Sequence, residues 1–433
     1  MKFPSSNFLA ASLLAAASVG LSVQSSRAEA QSISTSQLHT CAVSEAGDAY
    51  CWGRVGWITD AAGQHDVPFD ASPMPHVPHA PGMSFVSMAT GYQHDCVLVR
   101  TGQVFCSGVS YVHGELGRDT TRICKAGMAT CVPADSVDTP ERFKSVVAGL
   151  YHVCALTRDG RAFCWGANES GQAGVGTRNA AVLTPTPVVG NYRFTALTAG
   201  LRHTCGITVG GETLCWGANG QQQLGFNMAR RGCSFSDLCT AAPSPLDQPQ
   251  RYVVLKAGGN KTCGVTATGS LYCWGDGYTP VGNQVPVTPV RIGASFAFYD
   301  VSPGGLFTCG IATGGRAYCW KEQSRAPIGQ GLVTWGCTQS TTCIDETPVN
   351  DDLRFRAIAS GDQHACGIAG DGAVYCWGMK NEARAGDALA QATCAGTRAD
   401  LNRECSPVPA RIGGDLNLLK PAPRPASTKK PPQ

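Results

Sequence analysis

The stretch HVCALTRDGRAFCWG at residues 152–166 decides the fold, because related stretches occur seven times along the chain. Each copy contains two cysteines ten residues apart. The first cysteines are Cys41, Cys96, Cys154, Cys205, Cys263, Cys309 and Cys366, and the second cysteines are Cys51, Cys106, Cys164, Cys215, Cys273, Cys319 and Cys376. Successive first cysteines lie 55, 58, 51, 58, 46 and 57 residues apart. A repeat of about 50 residues is typical of propeller or solenoid units.

Each copy also has a glycine six residues after its first cysteine, as at Gly160. This position predicts a β-hairpin with a three-residue loop, 158–160, in which glycine takes the left-handed conformation. Counting outward from the loop places Cys154 opposite Cys164 at a non-hydrogen-bonded pair, where the Cα atoms approach to about 4.5 Å. The sequence therefore predicts one disulfide in each of the seven hairpins.

The flanks of the hairpin repeat as well. A short apolar run such as KSVVAG (144–149) precedes it, and a segment rich in proline and valine such as TPTPVVG (184–190) follows it, so each unit is predicted to have about four short strands. A tryptophan follows the second cysteine in six copies: Trp52, Trp165, Trp216, Trp274, Trp320 and Trp377. These tryptophans are predicted to pack between units, although a ligand-stacking role is the alternative.

Residues 149–176, GLYHVCALTRDGRAFCWGANESGQAGVG, resemble the regulator-of-chromosome-condensation repeat. The resemblance extends over nearly all of residues 31–413, and it implies an all-β, seven-bladed β-propeller. The paired cysteines depart from the family pattern and suit an exported, disulfide-stapled variant. Because no strand rich in proline and valine precedes the first copy, the segment Pro407 to Gly413 is predicted to complete the blade that contains Cys41 and Cys51.

The ends of the chain predict its location. Residues 1–30 have the pattern of a secretory signal peptide: Lys2, an apolar stretch, then Ala28-Glu29-Ala30. Residues 31–413 form the predicted propeller, and the Pro- and Lys-rich residues 414–433 are a predicted disordered tail. The 22 cysteines favour an oxidising compartment, so the chain is expected to be secreted or periplasmic. No later segment has the pattern of a membrane span, and a monomer is expected.

Four further cysteine pairs lie outside the repeat, in insertions that all follow the second repeat cysteine. They are Cys124 and Cys131, Cys233 and Cys239, Cys337 and Cys343, and Cys394 and Cys405. Equivalent insertions in a repeat ring emerge on one face, and a disulfide makes each loop rigid before it binds. The predicted partner-binding residues are Arg118, Arg122, Arg230, Arg231, Trp335 and Arg398. The alternative is that these loops are only solvated and stapled.

Histidine offers the first candidate chemistry. Five copies have it at one position, at His39, His94, His152, His203 and His364, while Lys261 and Phe307 replace it in two copies. Packing and hydrogen bonding within the blade is the favoured interpretation, and a ring of axial ligands is the alternative. The pair His76 and His79 could suggest a metal, but the surrounding segment reads as a proline-rich loop, so neither metal nor cofactor is predicted.

Two functions remain open. The favoured one is an exported, non-enzymatic scaffold that binds a protein or cell-surface partner through its stapled loops. The sequence has no nucleophile elbow, phosphate-binding loop or HExxH motif, and a net charge of +3 gives no field suited to nucleic acid. The alternative is an extracellular polysaccharide hydrolase or lyase, whose site at the ring mouth would need clustered carboxylates.

Overall fold

The computed structural model describes residues 32–53, 70–76, 83–108, 114–118, 135–227, 239–276, 287, 289–321, 348–379, 392–394, 403–413 and 416–419. These residues form seven antiparallel sheets, one for each copy of the repeat, and each sheet is one blade. The predicted all-β, seven-bladed propeller is therefore confirmed. Among the described residues, no helix has the length and apolar character needed to cross a bilayer.

The strands fall into four positions from the axis outward. The innermost strands are β1 (Ser32–Thr35), β5 (Phe85–Thr90), β9 (Phe143–Ala148), β13 (Phe194–Ala199), β17 (Val254–Gly258), β21 (Phe298–Pro303) and β24 (Phe355–Ser360). The second strands are β2 (His39–Val43), β6 (His94–Val99), β10 (His152–Thr157), β14 (His203–Thr208), β18 (Lys261–Val265), β22 (Phe307–Ala312) and β25 (His364–Ala369). The third strands are β3 (Ala49–Gly53), β7 (Val104–Gly108), β11 (Ala162–Ala167), β15 (Thr213–Ala218), β19 (Leu271–Gly275), β23 (Ala317–Lys321) and β26 (Val374–Met379).

The outer strands complete six blades within the described ranges. They are β4 (Asp70–His76), β8 (Asp135–Ser136), β12 (Ala181–Pro187), β16 (Cys239–Pro245), β20 (Val290–Ile292) and β28 (Arg403–Arg411), with β27 (Ala392–Cys394) paired beyond β28. Blade 1 comprises β1–β4, blade 2 β5–β8, blade 3 β9–β12, blade 4 β13–β16, blade 5 β17–β20, blade 6 β21–β23 and blade 7 β24–β28.

The hairpins have the predicted geometry. Gly160 has a φ of +85°, and the N–H of Thr157 donates to the carbonyl of Arg161 at 3.0 Å, which closes the three-residue loop. Cys154 lies opposite Cys164 in the register. All seven repeat pairs are disulfides, and their Cα atoms lie 4.1 or 4.2 Å apart. The pairs 124/131, 233/239, 337/343 and 394/405 involve cysteines whose placement or side chains lie outside the description, so their disulfides stay predictions.

The predicted ring closure is wrong. Pro407 to Gly413 belongs to blade 7, where β28 pairs with β26. Blade 1 instead has its own outer strand, Asp70–His76, which pairs with β3. Within the described ranges each blade is therefore contiguous in sequence, and no strand is exchanged to close the ring.

Packing closes the ring instead. Ala42 and Trp52 of blade 1 share one buried cluster with Cys366 and Ile368 of blade 7 and with Leu418. The N–H of Glu45 in blade 1 donates to the carbonyl of Leu418 at 2.9 Å, and the N–H of Leu418 donates to Gly372 of blade 7 at 2.9 Å. Residues 416–419, which were predicted to lie in the disordered tail, therefore bridge the first and last blades. The predicted tail cannot begin at residue 414.

Candidate functional site

The repeat histidines link neighbouring blades. His152 of blade 3 lies 2.9 Å from the hydroxyl of Thr204 in blade 4, which donates to the carbonyl of Gln172 at 2.9 Å. Because the threonine proton is used in that bond, the histidine Nε2–H must be the donor to the threonine. His203 makes the same link to Thr262 at 3.0 Å. These histidines are structural, as favoured from the sequence.

The same link spans the junction of the ring ends. Nε2 of His364 in blade 7 lies 2.7 Å from the hydroxyl of Thr40 in blade 1. Both side chains are fully buried. The histidine contact therefore repeats at the junction between the first and last blades.

Burial keeps these rings neutral. Burial, with smaller contributions from the nearby His203 and His94, lowers the pKa of His152 to about 3. Burial also lowers the pKa of His203 to about 4. A neutral imidazole suits the Nε2–H donor role, because a charged ring would be desolvated without a counter-ion.

In four blades a glycine three residues before the histidine leaves room for the ring. A Cβ built on Gly149 would lie 2.2 Å from Cε1 of His152. Blade 1 has Ser36 at this position, and its hydroxyl bonds to Nδ1 of His39 at 2.8 Å. The glycine and the histidine therefore form one packing unit.

Two blades replace the histidine, and each replacement makes its own contact with the next blade. Lys261 donates from Nζ to the carbonyl of Gly305 at 3.1 Å. Phe307 packs in a buried cluster with Ala365, which stands where four other blades have threonine. His94 is the exception, because the residue at the linking position of the next blade is Val153. Nε2 of His94 has no hydrogen-bond partner in the described part of the chain.

Ser36, His39 and Asp95 form a buried Ser-His-Asp chain. Nε2 of His39 lies 2.7 Å from Oδ1 of Asp95, and Nδ1 lies 2.8 Å from Oγ of Ser36. A nucleophilic serine needs a free lone pair directed at a substrate. Oγ of Ser36 instead accepts bonds from the N–H groups of Leu38 and His39, each at 3.1 Å. The arrangement is therefore a turn that orients the histidine.

Metal binding finds no complete ligand set in this cluster. Cys41 lies near His39 and Asp95, but its sulfur is bonded to Cys51. The side chain of His76 in β4 and all of His79 lie outside the described structure. The suggestion of a metal at those two residues therefore stays untested.

The repeat tryptophans are buried between blades, as favoured from the sequence. Nε1 of Trp216 donates to the carbonyl of Gln172 in the preceding blade at 3.0 Å, and Trp274 donates to Gln223 at 3.0 Å. A Cβ on Gly174 would lie 2.6 Å from Nε1 of Trp216. In blades 2, 3 and 4, where this segment is described, the glycine-rich stretch after the third strand thus contacts the tryptophan of the next blade.

The innermost strands enclose an axial cavity of about 350 Å³, lined by residues of all seven blades. Much of its hydroxyl lining connects blades. The hydroxyls of Ser34, Thr198 and Ser302 accept bonds from the next innermost strand, from the N–H groups of Thr90, Ala257 and Ser360 at 3.1, 2.7 and 2.8 Å.

The same cavity bears on the polysaccharide-cleaving alternative. Asp362 is the single carboxylate among the described lining residues. Glycoside hydrolysis uses two carboxylates as a rule. A catalytic pair in this cavity would therefore need a second carboxylate from outside its described lining.

The segments that connect the third strand of a blade to its outer strand begin at one end of the propeller. The N–H of Ala167 at the end of β11 donates to the carbonyl of Tyr151, in the loop between the first two strands of that blade, at 2.7 Å. Ala218 and Arg202 repeat this bond in blade 4 at 2.8 Å. We call this end the insertion face, and the opposite end, which contains the turns such as 158–160, the hairpin face.

Of the predicted binding residues, the structure describes one, Arg118. Arg118 is only 4% exposed, so the prediction that it contacts a partner is wrong for the chain as described. It directly follows Gly117, where a Cβ would lie 2.8 Å from Nε1 of Trp165 in the next blade. The predicted residues that lie outside the described structure are Arg122, Arg230, Arg231, Trp335 and Arg398.

Seven disulfide-stapled blades, joined by buried histidines and tryptophans, define a repeat propeller. Models of the regulator of chromosome condensation (RCC1) repeat match residues 143–172 and 355–382, and a second such model matches residues 159–207. Residues 143–207 and 355–382, in blades 3, 4 and 7, therefore match regulator-of-chromosome-condensation repeats. The family resemblance predicted from residues 149–176 is confirmed.

Relatives of known sequence and structure agree on the fold. The chain is 26% identical over 262 residues to the mitochondrial RCC1 domain-containing protein RUG3 of Arabidopsis thaliana, covering 59% of this chain and 57% of that protein. It is 25% identical to protein pim1 of Schizosaccharomyces pombe, covering 54% of this chain and 44% of pim1. The matched region thus spans about half the length of these curated relatives. Yeast RCC1 (Prp20), solved with Kap60, superposes with a TM-score of 0.65 at 20% identity, over 84% of this chain and 83% of that one.

Proposed function

We propose that this protein is an exported, non-enzymatic scaffold that binds a protein or cell-surface partner through the disulfide-stapled loops of its insertion face. The observation that carries the proposal concerns the segments that follow the third strands. They begin on the same face as the loops between first and second strands, as the backbone bonds of Ala167 and Ala218 to those loops illustrate. All four cysteine-bearing insertions occupy this stage of the repeat in sequence.

The seven hairpin disulfides support the exported location. Disulfides persist in oxidising compartments and are rare in the cytosol. One staple in each blade, in addition to the buried histidine links, suits a protein that has to keep its shape outside the cell. The solved complex of Kap60 with yeast RCC1 is one case in which a protein that contains a propeller of this fold is bound to another protein.

The remaining loop residues provide suitable contact chemistry. Arg and Trp are enriched among the residues that contribute most binding energy at protein interfaces. A loop closed by its own disulfide loses little conformational entropy when it binds. With Arg118 removed, the proposed contact residues are Arg122, Arg230, Arg231, Trp335 and Arg398.

A pull-down with the folded, oxidised protein from its native envelope or medium tests this proposal. The loop variant combines Trp335→Ala with Arg230→Ser and Arg231→Ser, and we expect it to keep its melting temperature and to lose the captured partner. The control variant changes the hairpin turns at Thr101 and Thr268 to Ala. Capture by the loop variant together with loss in the turn variant would reject the insertion face.

A further inference from the structure

A repeated arginine on the hairpin face lies outside the proposed loops. Arg142, Arg193 and Arg251 each directly precede the aromatic residue near the start of an innermost strand, in blades 3, 4 and 5. A Cβ built on the hairpin glycine Gly160 would lie 3.4 Å from Cβ of Arg193. A Cβ built on Gly102 would lie 3.1 Å from Cβ of Arg142. The fold therefore places these arginines against the hairpin of the preceding blade.

These positions form a continuous arc. The N–H of Val209, in the hairpin of blade 4, donates to the carbonyl of Arg193 at 2.8 Å. Nη1 of Arg251 donates to the carbonyl of Gly210 in the same hairpin. Arg158 lies in the blade 3 hairpin beside Gly160. We name Arg142, Arg158, Arg193 and Arg251 the arginine crescent.

The crescent carries unneutralised charge. Its four arginines are exposed, and the bonds of Arg142 and Arg193 go to backbone carbonyls of adjacent residues. On this face, within the described ranges, the ion pairs belong to Arg161, which binds Glu141 and Asp159 at 2.8 Å. Most of the five N–H donors of each crescent guanidinium thus remain available for carboxylates.

Exposed apolar side chains lie among the cations. Tyr192, Val209 and Val253 are 37%, 69% and 62% exposed. Tyr192 adjoins Arg193, Val209 is bonded to it through the backbone, and Val253 follows Arg251 by two residues. A polyanion without apolar groups would gain nothing from contact with exposed valines. Arg and Tyr beside apolar side chains are instead typical of protein interfaces.

We propose that the arginine crescent, with Tyr192, Val209 and Val253, is a second binding surface, which takes an acidic protein segment that also carries apolar side chains. Carboxylates of the segment bind the guanidinium groups, and its apolar side chains cover the two valines. This surface is on the opposite face from the proposed insertion-face site, so either site can fail without the other.

The test uses the full oxidised chain and a short fluorescein-labelled peptide in which Asp and Glu alternate with Leu and Phe. Fluorescence anisotropy at low salt gives the affinity. The crescent variant, Arg142→Gln with Arg193→Gln and Arg251→Gln, should bind about tenfold more weakly or worse. The matched control removes three exposed arginines outside the crescent, Arg178, Arg202 and Arg291, and should keep full affinity.

Further measurements separate the other occupants. Val209→Ser with Val253→Ser should weaken peptide binding several-fold, because the apolar contact is lost. Equal affinity of the crescent and control variants would overturn the proposal. Heparin or poly-glutamate binding as tightly as the peptide, with no effect of the valine changes, would assign a polyanion site instead. A dimer in light scattering that only the crescent variant disrupts would assign the surface to a second copy of the chain.

Discussion

The exception in the ring of histidine links gives a sharp stability prediction. His94 of blade 2 has no partner for Nε2 in the described structure, and the neighbour at the linking position is the fully buried Val153. The change Val153→Thr adds a hydroxyl where Thr204 and Thr262 have one. The new hydroxyl should accept from Nε2–H of His94 and donate to the carbonyl of Glu115, as Thr204 does to Gln172.

The magnitude follows from the two bonds gained. A neutral hydrogen bond contributes about 0.5–1.5 kcal/mol net, and an unpaired buried donor costs about 1–3 kcal/mol. Burying the threonine hydroxyl offsets part of this gain. We expect Val153→Thr to raise the free energy of unfolding by about 1 kcal/mol. The reverse change Thr204→Val, which leaves Nε2 of His152 unpaired, should lower it by about 2 kcal/mol.

Urea denaturation under non-reducing conditions measures both changes. The midpoint should rise for Val153→Thr and fall for Thr204→Val, with the slope against urea unchanged. Thr266→Val, at a hairpin position outside the histidine links, is the control for loss of a threonine hydroxyl. If Val153→Thr destabilises the chain while Thr204→Val has no effect, the histidine links do not hold the blades together.

Three further changes test other parts of the fold. Burial raises the pKa of Glu115 to about 8, so the stabilisation from its protonated form is complete below pH 4.5 and is lost as the pH rises through 8. The free energy of unfolding of Glu115→Gln should therefore exceed that of the unchanged protein by about 2 kcal/mol at pH 8 and equal it near pH 4, as measured by urea titrations. Gly149→Ala should lower stability by more than about 2 kcal/mol, because its Cβ would lie 2.2 Å from the ring of His152; an unchanged urea midpoint would contradict that packing. Deleting residues 414–433 should lower the melting temperature, whereas deleting residues 420–433 should not; equal melting temperatures would contradict closure by the C-terminal segment.

The repeat pattern was sufficient to predict the fold. A glycine and two cysteines at fixed spacing define a hairpin turn, a register and a disulfide at once, as Gly160, Cys154 and Cys164 show. Seven copies of one unit cannot bury their faces except against each other. Blade number and strand content therefore follow from local chemistry.

Ring closure was harder to predict because the first copy departs from the pattern. Ser36 replaces the glycine that marks the end of an innermost strand, so β1 was not recognised. Pro75 lies in β4, the outer strand of blade 1, although the sequence around His76 and His79 predicts a proline-rich loop there. Without β4, the sequence assigns Pro407 to Gly413 to blade 1, whereas this segment belongs to blade 7.

The exposure of candidate binding residues was the second feature that the sequence could not predict. Arg118 was grouped with surface loops by its residue type, yet it directly follows the segment that seats Trp165 of the next blade. The arginine crescent was missed, although an arginine before Phe143, Phe194 and Tyr252 is visible as a recurring pair in the sequence. Exposure depends on neighbours that are distant in sequence, and residue type alone does not reveal them.

Hydrogen–deuterium exchange on the complex with the captured partner tests the proposed function most directly. The oxidised chain is compared with and without the partner, and exchange is followed by peptide. The account predicts slower exchange in the insertion peptides that contain Arg230, Arg231 and Trp335, with no change at the hairpin turns near Thr101 and Thr268. Protection confined to the hairpin turns, with the insertion peptides unchanged, would contradict it.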